Sequence, residues 1–335
     1  MFRDHLSGGQ LSNYLKENNI IYEFQSGFRD SHSTDTCLTH LLDLLKTNMS
    51  KGMYTGLALL DLQKAFDTVD HHILCEKLKA MGVESVEWFY SFLSGRSQIV
   101  KIDEHCSETR NISCGVPQGS ILGPLLFLCY VNDMKISVSC KLLLYADDSI
   151  LIVPHKDVDI IKNRLSKELE SCNTWMINNK LSLHLGKTEI MLVGSKTKLK
   201  NVDDFNITCL GQELNGVKSV KYLGVLLDQY VSGELNCTQI IKRINARLKF
   251  MYRQAKDLDK KIKKTLCSAL IQPHFDYACS SWYSGLTSRS NKQLQICQNK
   301  IIRFILRLEP RSHIAQAERK QVNMLSVKNR VKELK

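Results

Sequence analysis

The stretch Leu142-Leu143-Leu144-Tyr145-Ala146-Asp147-Asp148-Ser149-Ile150-Leu151-Ile152-Val153 places two adjacent carboxylates between two apolar runs. Short apolar runs of this kind are typical of buried strands, so the sequence predicts a hydrophobic hairpin with Asp147 and Asp148 at its tip. Adjacent acids repel each other, and buried flanking strands raise that cost by excluding water, so a divalent cation would stabilise them. An Asp-Asp pair also suits an ordinary surface turn, and both interpretations are open at this point.

A second acidic segment lies upstream, where the apolar run Leu57-Ala58-Leu59-Leu60 ends in Asp61 and continues to Phe66 and Asp67. The run predicts a buried strand with Asp61 at its end. If this strand lies beside the first hairpin, three carboxylates converge without His or Cys, and such a hard oxygen shell suits Mg²⁺ rather than zinc. That chemistry indicates nucleotidyl transfer through two metal ions. Asp133 is a competing acid, whose position in Val131-Asn132-Asp133 predicts a helix end instead.

Six short blocks follow one another in a fixed order along the chain. They are Gln25-Ser26-Gly27-Phe28-Arg29, Asp61 to Asp67, Gly115-Val116-Pro117-Gln118-Gly119-Ser120, Tyr145 to Asp148, Leu183-His184-Leu185-Gly186-Lys187-Thr188, and Tyr222-Leu223-Gly224. In this order and spacing the chain resembles the reverse transcriptases of non-LTR retrotransposons, of the jockey-like and CR1-like kind. The resemblance extends from about residue 5 to residue 308.

The resemblance implies an α+β right-hand polymerase whose palm is a split βαβ unit of the ferredoxin-like kind, with partial fingers and a helical thumb. Members of that family have a longer fingers region before the first block and an endonuclease domain upstream, so the chain is expected to be N-terminally truncated. The implied boundaries are 1–53 and 68–116 for the partial fingers, 54–67 and 117–233 for the palm, 234–308 for the thumb, and 309–335 for a basic tail.

Hydrophobic spacing agrees with such an order of elements. A period near 3.6 predicts helices, and shorter apolar runs predict strands. The predicted helices span residues 38–45, 74–81, 120–128 and 158–176, followed by a helix after Gly233, a second that Pro273 breaks, and a third through residues 294–308. The predicted strands are 190–193 and 220–227, with a hairpin between 99–102 and 110–113.

The resemblance assigns the chemistry to four residues. Asp61 and Asp147 would be the principal metal ligands and Asp148 would complete the set, with Mg²⁺ as the ion and Mn²⁺ as an alternative. Lys187 matches a lysine near the triphosphate that protonates or neutralises the leaving pyrophosphate. A lone lysine at the start of a strand is otherwise usually exposed to solvent, and both interpretations are open.

The nucleotide is assigned to four further residues. Phe66 matches an aromatic that lies against C2′ of the sugar and excludes a 2′-hydroxyl, although a Phe at a strand end also suits core packing. Gln118 and Gly119 would line the nucleotide and template pocket, where Gly permits close backbone approach and Gln offers a donor and an acceptor. Without the resemblance, Pro117-Gln118-Gly119 would be only a turn. Arg29 would contact template or incoming phosphate.

The primer is assigned to Tyr222, Leu223 and Gly224, which match a primer grip made of an aromatic and a flexible backbone. The alternative is an ordinary strand followed by a bulge. This assignment, like those above, comes from the order of the six blocks rather than from the residues alone.

Charge is distributed unevenly along the 335 residues, whose net charge is +12. Residues 236–335 contain 22 Lys and Arg against 6 Asp and Glu, a net charge of +16, whereas residues 1–235 have a net charge of −4. Basic helices can bind duplex phosphates through counterion release, without choice of sequence. Solvated helix faces are the alternative, but positive charge this dense would repel itself without a polyanion.

The twelve cysteines are scattered singly, with no Cys-x-x-Cys pair, which predicts reduced and mostly buried thiols in an intracellular protein. The N-terminus lacks an apolar signal core, and the apolar stretch around 121–131 is too short to span a bilayer. These observations predict a protein of the nucleus or cytoplasm that is neither secreted nor in a membrane, and no pattern indicates an oligomeric state.

The sequence therefore predicts an RNA-directed DNA polymerase that extends a DNA primer on an RNA template with deoxynucleoside triphosphates. The alternative is a truncated or domesticated fragment that binds RNA or RNA–DNA duplexes without polymerising. Group II intron maturases, retron-like enzymes and RNA-dependent RNA polymerases are further classes. The first and last of the six blocks argue against the first two classes, and Phe66 argues against the third.

Overall fold

The computed structural model describes residues 2–255 and 257–334, which form two compact units. The first unit contains the chain up to Ser33 together with Gly52–Leu192 and Lys200–Val217. The second contains Thr34–Lys51, Val193–Leu199 and the chain from Lys218 onward.

The helices occur in both units, and short 3-10 turns accompany them at Asn132–Ser137, Leu185–Lys187 and Tyr283–Gly285. The helices are α1 (Phe2–Glu17), α2 (Thr34–Ser50), α3 (His71–Ala80), α4 (Val86–Leu93), α5 (Leu122–Val131), α6 (Val158–Asn178), α7 (Lys196–Leu199), α8 (Glu234–Gln254), α9 (Lys260–Leu270), α10 (Gln272–Asp276), α11 (Cys279–Trp282), α12 (Ser288–Leu306), α13 (Gln316–Val322) and α14 (Val327–Leu334).

In the described part of the chain, the strands form one central sheet and four two-stranded ribbons. They are β1 (Tyr54–Leu60), β2 (Arg96–Gln98), β3 (Lys101–Ile102), β4 (His105–Cys106), β5 (Arg110–Ile112), β6 (Lys141–Tyr145), β7 (Asp148–His155), β8 (Glu189–Val193), β9 (Asn206–Cys209), β10 (Gln212–Asn215), β11 (Ser219–Tyr222) and β12 (Val225–Asp228).

The central sheet has the spatial order β6-β7-β1-β8, with β7 antiparallel to both of its neighbours. Along the chain its strands alternate with two helices in the order β1, α5, β6, β7, α6, β8. This is the split βαβ arrangement of the ferredoxin-like kind, so the predicted α+β architecture is confirmed. The segment between β1 and α5 carries α3, α4 and two of the ribbons.

Helix α6 packs on strands β1 and β7 through the one-sided stripe that the sequence predicts. The helix begins after Asp157, whose side chain accepts a hydrogen bond from the Asp159 N–H at 2.8 Å. Each fully buried Leu or Ile of such a stripe contributes about 1.5–3 kcal/mol relative to an exposed one. The buried stripe is Ile161, Leu165, Leu169, Cys172 and Met176.

Two strand predictions are wrong in detail. Arg110–Ile112 pairs with Arg96–Gln98, whereas Lys101–Ile102 forms its own small hairpin with His105–Cys106. The chain reverses at Asp103, which has a left-handed φ of 52°. Aspartate tolerates this conformation, but without a Gly at this position the sequence did not predict the turn. Residues 220–227 form the β11–β12 hairpin rather than one strand, because the chain also reverses after Tyr222.

The second unit is mainly helical, as the sequence predicts. Helix α8 buries Ile240, Ile244 and Leu248 and packs against α12, which buries Leu294 and Ile301. The second predicted helix is broken as expected, since α9 ends at Leu270 and Pro273 lies in the first turn of α10.

The segment assigned to a basic tail contains helices α13 and α14, and both pack against α12. Val322 and Val331 are buried, and the Arg330 guanidinium forms an ion pair with Asp276 at 3.1 Å. The compact units also group α2 with the helices after Lys218, although the resemblance assigns α2 to the fingers. The boundaries of fingers, palm, thumb and tail remain predictions.

Ten of the twelve cysteines are buried, which confirms the prediction that most of the thiols are buried. Cys106 and Cys114 are exposed. Within residues 2–255 and 257–334, no helix is both long and apolar enough to cross a membrane.

Candidate active site

Strand pairing brings Asp61 next to Asp148. In the antiparallel pairing of β1 and β7, Leu60 lies opposite Ser149. One further residue along each strand therefore places Asp61 opposite Asp148, and residues directly opposite on an antiparallel pair point to the same face of the sheet.

Asp147 lies in the turn of the neighbouring hairpin. Strands β6 and β7 pair up to Tyr145 and Asp148, which leaves Ala146 and Asp147 as the two turn residues. Ala146 has a φ of 57°, a left-handed conformation that is uncommon for a residue with a Cβ. The predicted hairpin is confirmed, with one acid in the turn and the other at the first position of β7.

The electrostatics of the site are those of crowded negative charge. The pKa of Asp148 is raised to about 6, first because surrounding protein removes water from its carboxyl group, and then because Asp147 and Asp61 lie nearby. Two carboxylates that repel a third favour either a proton or a metal cation on it.

Lys187 is positioned beside Asp61 by backbone pairing. The Asp61 carbonyl accepts a hydrogen bond from the His184 N–H at 2.9 Å, and the 3-10 turn Leu185–Lys187 follows directly. The Lys187 Nζ lies 3.4 Å from Asp61 Oδ2, and the two side chains are 64% and 43% exposed. Such an exposed ion pair contributes only about 0–1 kcal/mol to the free energy of unfolding, so this contact is not needed to hold the fold together.

The donor chemistry fits a hard divalent cation, because the converging groups are carboxylate oxygens. The metal-binding roles of Asp61, Asp147 and Asp148 remain predictions. In the part of the chain that the structure describes, no three His, Cys, Asp or Glu side chains are arranged as ligands of one ion.

Asp133 does not belong to the site. It lies in the 3-10 turn that follows α5, close to the predicted helix end, and its carboxylate accepts from the Lys77 ammonium at 2.6 Å. The Lys77 ammonium also lies over the rings of Tyr130 and Trp175, so it stabilises a different part of the first unit.

The block Gln25-Ser26-Gly27-Phe28-Arg29 is docked on the acidic hairpin. The Ser26 N–H donates to the Leu144 carbonyl at 2.8 Å, and the Leu144 N–H donates to the Phe24 carbonyl at 3.0 Å. The Arg29 guanidinium donates from Nη1 to the carbonyls of Tyr22 and Gln25, at 3.1 and 3.0 Å. Arg29 therefore stabilises the loop that carries it, a contact the sequence did not indicate.

Phe66 packs on the core while one side of it stays accessible. Its ring stacks on the buried Phe127 with centroids 4.3 Å apart, and Phe28 meets it edge-on at 6.1 Å. Phe66 itself is half-buried and Phe28 is exposed. Core packing and a sugar-facing role are thus compatible in this side chain.

Gln118 lines a cavity of about 640 Å³ in the first unit, between the block that contains Asp67 and the block Gly115 to Ser120. Its Nε2 donates to Asp67 Oδ1 at 2.8 Å, so Asp67 orients the amide. Gly119, next in the chain, is exposed with a φ of 80°. The cavity is also lined by Lys64, Arg96, Cys114 and Pro117.

The turn Tyr222-Leu223-Gly224 differs from the expectation for a primer grip. The Tyr222 side chain is only 3% exposed, and its hydroxyl lies 3.4 Å from the Cys37 sulfur. The exposed aromatic at this turn is Tyr277, which is 45% exposed and donates its hydroxyl to the Leu223 carbonyl at 2.7 Å. Tyr277 follows Tyr222 by 55 positions, so no local sequence pattern could have linked them.

The fold and these acids define a class of protein. The family described as "Reverse transcriptase (RNA-dependent DNA polymerase)" matches residues 9–227, and the chain belongs to this family. Its fold is therefore that of a right-hand polymerase. Reverse transcriptases use divalent metal ions, in agreement with the carboxylate chemistry of the site.

Individual relatives are polymerases of mobile elements. The chain is 27% identical over 300 residues to "RNA-directed DNA polymerase from mobile element jockey" of Drosophila funebris, which covers 85% of this chain and 32% of that protein. It is 28% identical over 316 residues to "Probable RNA-directed DNA polymerase from transposon X-element" of Drosophila melanogaster, which covers 90% and 34%. The chain thus spans about a third of the length of these relatives.

Among solved structures, a telomerase from Candida tropicalis in complex with a fragment of telomeric RNA is similar, with a TM-score of 0.47 and 13% identity. The similarity covers 99% of this chain and 52% of that one.

Proposed function

We propose that this chain is an RNA-directed DNA polymerase of a non-LTR retrotransposon. It would extend a DNA primer on an RNA template by adding deoxynucleotides to the primer 3′-hydroxyl. The observation that carries the proposal is the strand register that sets Asp61 opposite Asp148 and leaves Asp147 in the adjoining turn. Membership of the reverse transcriptase family supports it.

Asp61, Asp147 and Asp148 would hold the divalent ions of the reaction. Bound Mg²⁺, or Mn²⁺ in its place, would activate the attacking 3′-oxygen and stabilise the leaving pyrophosphate. The raised pKa of Asp148 supports this role, because a cation relieves the repulsion that otherwise favours a proton. The side chains would approach each other further when charge is neutralised between them.

Lys187 would act on the leaving group. Its ammonium already lies beside Asp61, where it can neutralise charge on pyrophosphate and donate a proton to it. The exposed ion pair with Asp61 contributes little to stability, which favours a functional reason for the position of this lysine.

The nucleotide would be bound by Phe66, Gln118, Gly119 and Arg29. Phe66 is stacked against Phe127, which restrains its ring, and it would select deoxynucleotides by steric exclusion of a 2′-hydroxyl. Gln118, oriented by Asp67, would contact the nucleotide or template, while Gly119 would allow close backbone approach. Arg29 would contact phosphate through Nε or Nη2, since both hydrogen bonds to its own loop use Nη1.

The nucleic-acid partners would be an RNA template and a DNA primer. The Tyr222-Leu223-Gly224 turn would present its backbone to the primer end. Exposed basic residues of α8, among them Lys242, Arg243, Lys249 and Arg253, would bind backbone phosphates.

Primer extension tests the proposal. The purified chain, a DNA primer on a defined RNA template, deoxynucleotides and Mg²⁺ should yield extended primer. Asp147→Asn should abolish extension, because it removes a metal ligand, and should leave primer–template affinity unchanged. The matched control is Asp203→Asn, the same change at an exposed carboxylate in a loop of the first unit, which should extend normally.

Two outcomes would contradict the proposal. Extension by Asp147→Asn would show that the acids are not the metal site. Duplex binding by the wild-type chain without any extension would favour the nucleic-acid-binding alternative.

A further inference from the structure

We propose that Gln25 is a positioning residue for the acidic turn, because its side-chain amide fixes the backbone of Ala146 and thereby the direction of Asp147. The proposal rests on the proposed polymerase function for its catalytic consequence. The contacts that carry it can be measured without catalysis.

The Gln25 side chain is buried, with 1% of its surface exposed. Its Oε1 accepts two hydrogen bonds, from the Gly27 N–H at 2.8 Å and from the Ala146 N–H at 3.0 Å. Among the described residues its Nε2 has no hydrogen-bond partner. Only the oxygen can accept from two N–H groups, so these contacts fix the orientation of the amide.

Ala146 needs such an acceptor. It is a turn residue between the last paired residues of β6 and β7, so no opposing strand residue accepts its N–H. It also holds a φ of 57°, which surrounding contacts must enforce in a residue with a Cβ. Because the Ala146 peptide leads directly into Asp147, the hydrogen bond from Gln25 constrains that carboxylate.

The neighbouring backbone reinforces the same contact. A parallel bridge joins Gln25 to Leu144 at the free edge of β6. A Cβ added to Gly27 would lie 2.4 Å from the Ala146 nitrogen, so the two segments approach more closely than any other residue would allow. The segment Gln25 to Arg29 is therefore packed closely against the turn that contains Asp147.

The catalytic consequence follows from the precision that metal ligands require. A misplacement of about 1 Å in a catalytic group can lower a rate by about 100-fold. Loss of the Gln25 acceptor would loosen Asp147 while all three acids are still present, and it would weaken metal binding rather than remove the site.

Gln25→Leu tests this in the full chain, since leucine fills similar volume without an acceptor. We expect faster hydrogen exchange of the Ala146 amide and at least threefold weaker binding of Mn²⁺, followed by electron paramagnetic resonance of the free ion. Primer extension at saturating Mg²⁺ should fall by about 10- to 100-fold. Primer–template affinity should be unchanged, because Gln25 is buried.

Gln25→Glu is the conservative rescue. Ionised or protonated, the Glu carboxyl group keeps an oxygen that can accept from the same two N–H groups, and the lost Nε2 makes no hydrogen bond, so exchange of the Ala146 amide should stay slow. Gln212→Leu is the matched control, because Gln212 is exposed on β10, and it should resemble wild type in all three measurements.

The outcomes separate this proposal from the proposed function. If wild type does not extend primers, the polymerase proposal fails, and Ala146 exchange with Mn²⁺ affinity still decides the role of Gln25. Wild-type exchange and Mn²⁺ affinity in Gln25→Leu would overturn the positioning role. If Gln25→Leu does not reach the wild-type circular dichroism spectrum, Gln25→Met replaces it, and failure of both to fold would overturn the role in favour of a purely structural one.

Discussion

The carboxyl group of Asp148 has a pKa of about 6 against an ordinary value of 3.8. The folded state therefore binds this proton more tightly than the unfolded state does, and the free energy of unfolding falls as the pH rises from about 4 to about 6. Above about pH 6 the Asp148 carboxylate is charged in the folded protein, and the full loss of stability from this group is present. A residue kept charged at a cost to stability is typical of a functional site.

Asp148→Asn should remove that cost. We expect its melting temperature to exceed that of wild type at pH 7.5 and to match it at pH 4, measured by differential scanning fluorimetry without divalent ions. Asp203→Asn should track wild type at both values. A constant difference between Asp148→Asn and wild type from pH 4 to pH 7.5 would mean that the pKa of Asp148 is not raised.

Phe66 has two roles that one substitution can separate. Phe66→Val should lower the ratio of kcat/KM for deoxynucleotides over ribonucleotides by about tenfold or more, because the space beside C2′ opens. It should also lower stability by about 0.5–1.5 kcal/mol or more, through loss of the stack on Phe127. Phe28→Val, at the exposed neighbouring ring, should keep the selectivity. Loss of stability with unchanged selectivity would leave Phe66 as a core residue only.

The β11–β12 hairpin distinguishes two tyrosines. Gly224 has a φ of 80°, and Tyr277 covers the turn from the side, with its ring 3.2 Å from where a Gly224 Cβ would lie. Because Tyr222 is buried, Tyr222→Phe should leave primer–template affinity unchanged. Tyr277→Ala should weaken that affinity about tenfold, as expected for removal of a side chain that both stacks and holds the turn. Fluorescence anisotropy of a labelled primer–template would measure both.

The opposite ranking would restore the original assignment. If Tyr222→Phe weakened binding while Tyr277→Ala did not, Tyr222 would be the primer contact, and the hairpin would have to open to expose it.

Periodic signals predicted the elements that bury one face. The stripe of α6 matches the helical period over many residues, so neighbouring positions support the same prediction. Strand β7 was indicated instead by a continuous apolar run, Ile150 to Val153, which is buried throughout. Turn positions gave no such support. Asp103 and Ala146 adopt left-handed conformations without a Gly to mark them.

The candidate site was predictable in residue type but not in arrangement. Asp61, Asp147 and Asp148 lie at the ends of apolar runs, and this position at strand ends is what predicted that the three acids are near one another. The sequence could not show that Lys187 pairs with Asp61, or that Gln25 accepts from Ala146, since each contact joins segments more than 100 residues apart. Their roles remain predictions.

The uneven charge of the whole chain predicts that its binding to nucleic acid weakens as the salt concentration rises. Residues 236–335 have a net charge of +16, and the helices of this region expose many of those side chains. Removing one side chain that binds a phosphate should reduce the slope of log Kd against log salt by about 0.7–0.9. Lys249→Gln with Arg253→Gln, both on exposed positions of α8, should therefore lower that slope by about one to two.

Arg164→Gln with Lys167→Gln is the matched control for charge, because both residues are exposed on α6 in the first unit. It should leave the slope unchanged. Equal effects of the two pairs would indicate that binding depends on total charge rather than on α8.

The distribution of cysteines makes the natural chain suitable for site-selective labelling. Burial raises the pKa of thiols such as Cys129 and Cys140 to about 12, so they react slowly with maleimides at neutral pH. Cys106 and Cys114 are exposed, and Cys114 lines the cavity that contains Gln118. With Cys106→Ser as the single change, a fluorophore on Cys114 would report nucleotide arrival in real time, one molecule at a time.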